Sequence, residues 1–187
     1  MMNLIKYIPS IFKKKNDRVK KMLSNIHTNT GLWWDDIERF GKLMEENDAV
    51  KQSSSCLTDE VEDLFPTKNH IEGGLFTREI FFPKGSLIVS LIHKQNHPSF
   101  LLEGKVSIIN DQGVVKELKT GDVVFTKTGA QRIFYAHVDT KWCCVYKTNK
   151  KTVEEAMKDV YCDNYLELPS KFLKQYYKQK KLWQESF

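Results

Sequence analysis

The pattern of hydrophobic and polar positions changes its period near residue 70. From there to residue 148, short runs of β-branched and aromatic residues alternate with turns that contain glycine or proline, a pattern typical of β-strands. Because no helical segment separates these runs, the pattern predicts a mainly β fold, an antiparallel sandwich or barrel of jelly-roll type. The predicted strands are Leu75–Phe82, Ser86–Ile92, Ser99–Glu103, Val106–Ile109, Val114–Leu118, Asp122–Thr126, Arg132–Ala136 and Trp142–Lys147.

Helical spacing of hydrophobic residues flanks the β region on both sides. It predicts an amphipathic helix over 17–27 and a second helix that begins at Thr30. After the strands, Thr152 caps a helix over Val153–Val160, and a last helix begins after Pro169. We expect the aromatic residues of the last helix to pack on the β region or on a second subunit, with a membrane or RNA as alternatives.

These changes of pattern divide the chain into five parts. They are a basic and apolar N-terminal arm over 1–16, a helical segment over 17–50, a polar linker over 51–69, a β-barrel over 70–148 and a C-terminal helical tail over 149–187. A chain of 187 residues with 41% hydrophobic content fits one domain with extensions. The pattern predicts no signal peptide, and the apolar runs fall far below the about 20 residues of a transmembrane helix.

Positive charge is concentrated at the two ends of the chain. Residues 1–21 carry seven lysine or arginine residues and one aspartate, whereas residues 22–166 hold more acidic than basic residues. We therefore expect the arm to contact a neighbouring subunit or another protein. Contact with nucleic acid or a membrane is the alternative. The candidate contact residues of this interaction arm are Ile5, Ile8, Ile11, Phe12, Lys13, Lys14 and Lys15.

Residues 85–104 resemble the first sequence motif of the cupin superfamily. Five residues separate Gly85 from Leu91-Ile-His93, three more separate His93 from His97, and another six separate His97 from Gly104. The resemblance implies a single cupin β-barrel with N-terminal helices and a C-terminal helical tail. It also implies that His93 retains one histidine of a cupin metal site, that His97 replaces the carboxylate and that Leu91 replaces a second histidine.

Residues 121–136 resemble the second cupin motif. Five residues separate Gly121 from Lys127-Thr-Gly129, and Arg132 then occupies the position of the third histidine. A guanidinium beside two imidazoles repels a divalent cation, so the donor set predicts a degenerate metal site. A divalent transition metal on His93 and His97 is the less favoured alternative.

Strand parity, together with the cupin resemblance, predicts which side chains point into the barrel. A cationic group beside apolar side chains suits a phosphate or carboxylate with an apolar body. The alternative for Arg132 is an ion pair with a buried Glu79 or Glu103. The candidate ligand-binding residues are His93, His97, Arg132, Leu91, Phe100 and Phe134.

A longer part of the chain, about residues 30–150, resembles the small cupin-like proteins encoded in tailed-phage genomes. The similar segments are Gly31–Phe40, Asp63–Pro66, Gly74–Ser86, Ile92–Lys94 and Lys127–Trp142. The resemblance implies a phage context, in the host cytoplasm or in the virion, and brings no settled activity with it.

Three functions remain open on these observations. The favoured one is a non-catalytic degenerate cupin that acts as a binding or assembly module, as a homo-oligomer or with other virion or host-takeover proteins. The second is a receptor or sequestering protein for a small anionic ligand in the barrel. The third is a metal-dependent dioxygenase or isomerase, which would need His70, His137 or Cys143 to complete the metal site.

Overall fold

The computed structural model describes Ile37, residues 65–109 and residues 115–184. The predicted N-terminal arm and most of the predicted helical segment and linker lie outside the described residues. Ile37 is helical and fully buried. In the part of the chain that is described, no helix is long and apolar enough to cross a membrane.

Eleven strands and two α-helices make up the described part of the chain. In chain order they are β1 (Thr67–Glu72), β2 (Leu75–Phe82), β3 (Leu87–Val89), β4 (Ile92–His93), β5 (His97–Glu103), β6 (Lys105–Ile109), β7 (Val115–Lys119), β8 (Val123–Thr126), β9 (Ile133–Ala136), β10 (Thr140–Lys147), α1 (Val153–Val160), β11 (Tyr161–Cys162), a 3₁₀ turn (Tyr165–Glu167) and α2 (Ser170–Gln184).

The strands pair in two main antiparallel sheets that enclose a common core. The order is β1-β2-β10-β5-β8 in the five-stranded sheet and β3-β9-β6-β7 in the four-stranded sheet, and β11 pairs with β4. Phe76 and Leu101 of the first sheet share one hydrophobic cluster with Val106 and Phe134 of the second. The mainly β prediction is confirmed, but among the described residues the sheets keep open edges, so the prediction of a closed barrel is corrected to two facing sheets.

The predicted strand boundaries hold best where apolar residues alternate clearly. Leu75–Phe82 is confirmed as β2, whereas the single strand predicted over Ser86–Ile92 is wrong, because the chain forms β3 and β4 there with an irregular step between them. Strand β1 was not predicted from the sequence. Its side chains alternate between half-buried and exposed at the edge of a sheet, so its sequence is too polar to read as a strand.

The segment after β10 packs into the core of the two sheets. Helix α1 has the predicted boundaries, and the Thr152 side chain accepts a hydrogen bond from the Glu155 backbone N–H at 3.3 Å. Its apolar face joins the main hydrophobic cluster through Ala156, Met157 and Val160. Strand β11 and helix α2 therefore follow, in the chain, a helix that packs firmly on the β-sheets.

Helix α2 packs against the body of the protein at one glycine. Phe172 lies in a small cluster with Ile92 and Tyr165, and Gly129 has a φ of +80°. A Cβ atom at this position would lie 2.1 Å from the Phe172 ring, so only glycine fits both the turn and the helix. Packing of the last helix on the β region is thus confirmed for Phe172, whereas the buried Tyr176 stacks on Tyr165 of the 3₁₀ turn.

Candidate ligand-binding cavity

A cavity of about 60 Å³ lies between the two sheets. Both sheets, the segment around β4 and strand β11 contribute to its wall, and the described lining residues include no aspartate or glutamate. The lining residues are Phe65, Thr67, Arg78, Ile80, Phe82, Ile88, Ser90, Leu91, His93, Ser99, Thr126, Arg132, Phe134, Trp142, Cys144 and Tyr161.

Arg78 places a buried positive charge in this wall. It lies on the inward face of β2 and is 2% exposed. Its Nη1 atom donates to Asn69 Oδ1 at 2.9 Å and contacts Met157 Sδ at 3.5 Å, and its Nε atom has no hydrogen-bond partner among the described residues. Neutral partners do not balance the charge of a guanidinium, and a buried cation without a counter-charge is costly.

Arg132 brings a second guanidinium to the same cavity from the other sheet. It comes directly before β9, and its Nη1 atom donates to Thr126 Oγ1 at 2.7 Å. The Thr126 hydroxyl also lies 3.3 Å from Ser99 Oγ. The two arginines therefore face a cavity whose hydroxyl groups are already oriented by hydrogen bonds.

The alternative prediction for Arg132 is an ion pair with a buried Glu79 or Glu103. Glu103 accepts a hydrogen bond from Lys141 at 2.7 Å on the surface, and Glu79 follows Arg78 on β2 and does not line the cavity. Neither carboxylate is therefore part of the cavity wall.

His93, His97 and Tyr146 form a buried polar cluster beside the arginines. The His93 and His97 rings lie 4.6 Å apart, and His97 lies 4.1 Å from the Tyr146 ring. The Tyr146 hydroxyl is 3.1 Å from His93 Nδ1 and 2.6 Å from the Tyr161 hydroxyl. These hydrogen bonds connect β4, β10 and β11, so the segment after β10 supplies part of the polar wall.

Burial and positive charge keep both histidines neutral near pH 7. Burial lowers the pKa of His93 well below its usual value, and the charges of His97 and Arg132 lower it further. Burial likewise lowers the pKa of His97 to about 4, against a hydrogen bond from its ring to the Gln95 carbonyl group that raises it. The arginines are therefore the charged groups of the cavity wall.

The other end of the cavity is aromatic. The ring centroids of Phe65 and Phe82 lie 6.0 Å apart, those of Phe82 and Phe134 6.1 Å, and those of Phe134 and Trp142 5.3 Å. The β-sheet register explains the separation of the two ends, because Arg78 lies opposite Cys144 and Ile80 lies opposite Trp142, one inward position further along β2.

The structure brings four of the six predicted ligand-binding residues to the cavity wall. Leu91, His93, Arg132 and Phe134 line it, and His97 packs against His93 behind the wall. The prediction that Phe100 points into the interior is wrong. On β5 the buried positions are His97, Ser99 and Leu101, so Phe100 faces the other side of the sheet, where it is half-buried.

Several side chains that line the cavity were not predicted from the sequence, above all Arg78. The inward positions of β2 are Phe76, Arg78, Ile80 and Phe82, and an arginine in an otherwise apolar alternation indicates a buried cation. Ser99 and Thr126 could have been inferred in the same way from strand parity. Tyr161 could not, because its approach to the cavity depends on the pairing of β11 with β4.

The donor set does not fit the divalent metal that a cupin resemblance implies. In the part of the chain that is described, no three His, Cys, Asp or Glu residues lie close enough to hold a metal ion. His70 is exposed on β1 beside Glu72, and His137 Nε2 bonds to the Ser107 hydroxyl at 2.7 Å, away from the cavity. His93 and His97 would have to hold a cation beside Arg132, whose charge opposes it.

The adjacent cysteines differ as strand parity predicts. Cys144 lines the cavity and is buried, whereas Cys143 is half-buried on the other face of β10. Burial raises the pKa of Cys143 to about 11 and also raises the pKa of Cys144. Both thiols are therefore protonated near pH 7, which does not suit a nucleophile.

The chain matches no protein-family model and no curated protein. Solved structures with a similar backbone include a cupin superfamily protein from Desulfitobacterium hafniense, with 11% identity over 46% of this chain and 78% of that chain at a TM-score of 0.40. A cupin 2 conserved barrel domain protein from Salinispora arenicola has 11% identity over 46% of this chain and 76% of that chain at 0.39.

Ectoine synthase from P. lautus is also similar, with 12% identity over 51% of this chain and 72% of that chain at a TM-score of 0.44. The similar solved structures thus include cupin superfamily proteins, at low identity and over about half of this chain. The function of this chain therefore has to follow from its own cavity.

Proposed function

We propose that this chain is a non-catalytic binding protein that holds a small anionic molecule between its two sheets. The observation that carries the proposal is Arg78, a buried guanidinium that lines a cavity and has only neutral partners among the described residues. Arg132 lines the same cavity, and the described wall contains no carboxylate. An anion bound there would supply the missing counter-charge in a site from which water is largely excluded.

A binding role fits the chemistry of the cavity better than a catalytic one. Among the described residues the His93 Nδ1 atom contacts the Tyr146 hydroxyl and no carboxylate that would hold an imidazolium. Both histidines lose their protons well below pH 7. The nearby thiol of Cys144 is protonated. The cavity therefore offers fixed positive charge and hydrogen-bond donors, which bind an anion without activating it.

A thermal denaturation experiment at constant ionic strength tests the proposal. The probes are sodium phosphate and sodium acetate against sodium chloride, with the full chain and two variants, Arg78→Met and a matched surface control, Lys141→Met. We expect at least one probe to raise the midpoint of the native protein and of Lys141→Met but not of Arg78→Met. Equal midpoints in all three salts, or a shift that persists in Arg78→Met, would overturn the proposal.

We propose in addition that the protein takes part in an assembly and acts in a phage context. Both are supported by the resemblance of residues 30–150 to cupin-like phage proteins and by the apolar and basic residues of 1–16. Light scattering of the full chain and of a chain that lacks residues 1–16 tests the assembly role. We expect a larger particle for the full chain, and equal masses would remove the arm from the proposal.

A further inference from the structure

The cavity has one charged end and one aromatic end, and each is fixed by the β-sheet register. Arg78 and Ser99 both lie opposite Cys144, so one row across the five-stranded sheet carries the polar groups. The next inward row places Ile80 and Leu101 opposite Trp142. A ligand in this cavity therefore meets cationic donors at one end and aromatic rings at the other.

We propose that the bound anion is a short-chain monocarboxylate, with its carboxylate group at Arg78 and its alkyl group toward Phe134 and Trp142. The inference rests on the proposed function, because it needs an anion in the cavity, and it adds the chemical class of that anion. A planar carboxylate accepts two parallel hydrogen bonds from a guanidinium, and the Nε atom of Arg78 has no partner among the described residues.

The aromatic end disfavours an inorganic anion. A phosphate ion carries oxygen atoms in every direction, so its binding would place some of them against the rings of Phe82, Phe134 and Trp142. An oxygen atom buried without a hydrogen-bond donor loses its hydration without compensation. An alkyl group in the same place gains from burial instead.

The size of the cavity limits the length of the alkyl group. A volume of about 60 Å³ is small, since each water molecule in a cavity needs about 10–15 Å³ by this measure. The cavity therefore has room for about four to six non-hydrogen atoms. The class therefore extends from acetate to butyrate, and larger aryl or long-chain acids do not fit without displacement of the wall. The hydroxyl groups of Ser99 and Thr126 can help to orient the carboxylate oxygen atoms at the charged end.

Calorimetric titration of the full chain with acetate, propionate, butyrate and inorganic phosphate tests this inference. We expect the affinity to rise about fourfold with each added methylene group, because each group becomes buried against the aromatic end. We expect phosphate to bind at least about tenfold more weakly than butyrate. An amide probe, propionamide, lacks the charge and should bind much more weakly than propionate.

Two pairs of variants assign the two ends. Arg78→Met should abolish carboxylate binding, and Arg78→Lys, which keeps the charge but loses the paired donors, should weaken it about tenfold. Phe134→Leu should reduce the gain from acetate to butyrate and leave acetate affinity within about twofold. Phe125→Leu, at a position that is 77% exposed, is the matched control and should change neither.

The outcomes separate this inference from the proposed function. Affinities that do not depend on chain length, or phosphate that binds as tightly as butyrate with loss in Arg78→Met, would overturn the monocarboxylate class and leave an anion site in place. Heats of binding that are absent for all four probes would overturn both. Chain-length dependence that survives unchanged in Phe134→Leu would show that the alkyl group does not lie at the aromatic end.

Discussion

Positive charges on the outer surface of the protein and in its interior have opposite surroundings. On the surface, lysines pair with carboxylates, as in Lys141–Glu103 at 2.7 Å and Lys158–Glu154 at 2.5 Å, and Lys105 pairs with Glu117. In the interior, the partners of Arg78 in the described part of the chain are an amide oxygen and a thioether sulfur. The carboxylates of these pairs thus lie on the surface, where water already screens charge. The described wall of the cavity contains no carboxylate.

Among the described residues, the interior charge is therefore not part of an ion pair. Exposed pairs contribute little to stability because water competes for both partners. A buried guanidinium without a carboxylate costs folding free energy, so it persists only where another role offsets that cost. Variants of interior and surface side chains of the same type test this contrast.

Acidification should destabilise the interior first. A folded-state pKa of about 4 for His97, below its ordinary value of 6.5, means that the unfolded chain binds this proton more tightly. Stability from this group is complete above pH 6.5 and is lost as the pH falls toward 4, by about 3 kcal/mol over the window. Urea denaturation at several pH values measures this change.

A matched pair of histidine variants isolates the effect. His97→Gln should flatten the fall in unfolding free energy between pH 6.5 and pH 4, whereas His70→Gln, at an exposed position, should leave it unchanged. Equal slopes in the native protein and in His97→Gln would contradict burial as the cause of the lowered pKa.

Removal of the interior charge should stabilise the ligand-free protein. Arg78→Met replaces a buried cation with an apolar side chain of similar length, and we expect the free energy of unfolding to rise by about 2 kcal/mol. Urea denaturation in sodium chloride measures it. A decrease in stability would mean that the bond to Asn69 and the contact with Met157 outweigh the cost of the buried charge.

Removal of one buried hydroxyl group should have a smaller effect. Tyr146→Phe leaves His93 Nδ1 and the Tyr161 hydroxyl without their shared partner, so we expect a loss of about 1–2 kcal/mol. Tyr177→Phe, on a residue that is 52% exposed, is the control and should have no measurable effect. If both variants unfold at the same urea concentration, the buried hydrogen-bond chain does not stabilise the protein.

Disruption of a surface pair should have the smallest effect. In Lys141→Met the bond to Glu103 is lost, and we expect the urea midpoint to stay within experimental error of the native value. A clear decrease would show that the surface charges stabilise the sheet, and would weaken the contrast with Arg78.

Sequence predicted the elements well and the cavity only in part, for physical reasons. Strong alternation and a capping threonine identified Leu75–Phe82 and Val153–Val160 with the observed boundaries. The cupin resemblance, together with parity within one strand, placed Arg132 and Phe134 on the cavity wall. These features depend on residues close in the chain, and local patterns carry that information.

The parts that sequence did not predict depend on pairing across the chain. Phe100 was expected inside because the register of β5 was not known, and a shift by one residue reverses every side chain of a strand. Tyr161 reaches the cavity through a two-residue strand that pairs with β4. No local pattern marks such a contact, since its partner lies far away in the sequence.

The packing of α1 and β11 into the core has a consequence for synthesis of the chain on the ribosome. When the chain has left the ribosome as far as Lys147, every strand of the two main sheets has emerged, but Met157 and Tyr161 have not. Arg78 then lacks one of its two contacts, and the cavity lacks part of its wall. Because a chain is made from its N-terminus, the sheets can assemble before the binding site exists. Ligand binding therefore distinguishes finished chains from those that stop after β10.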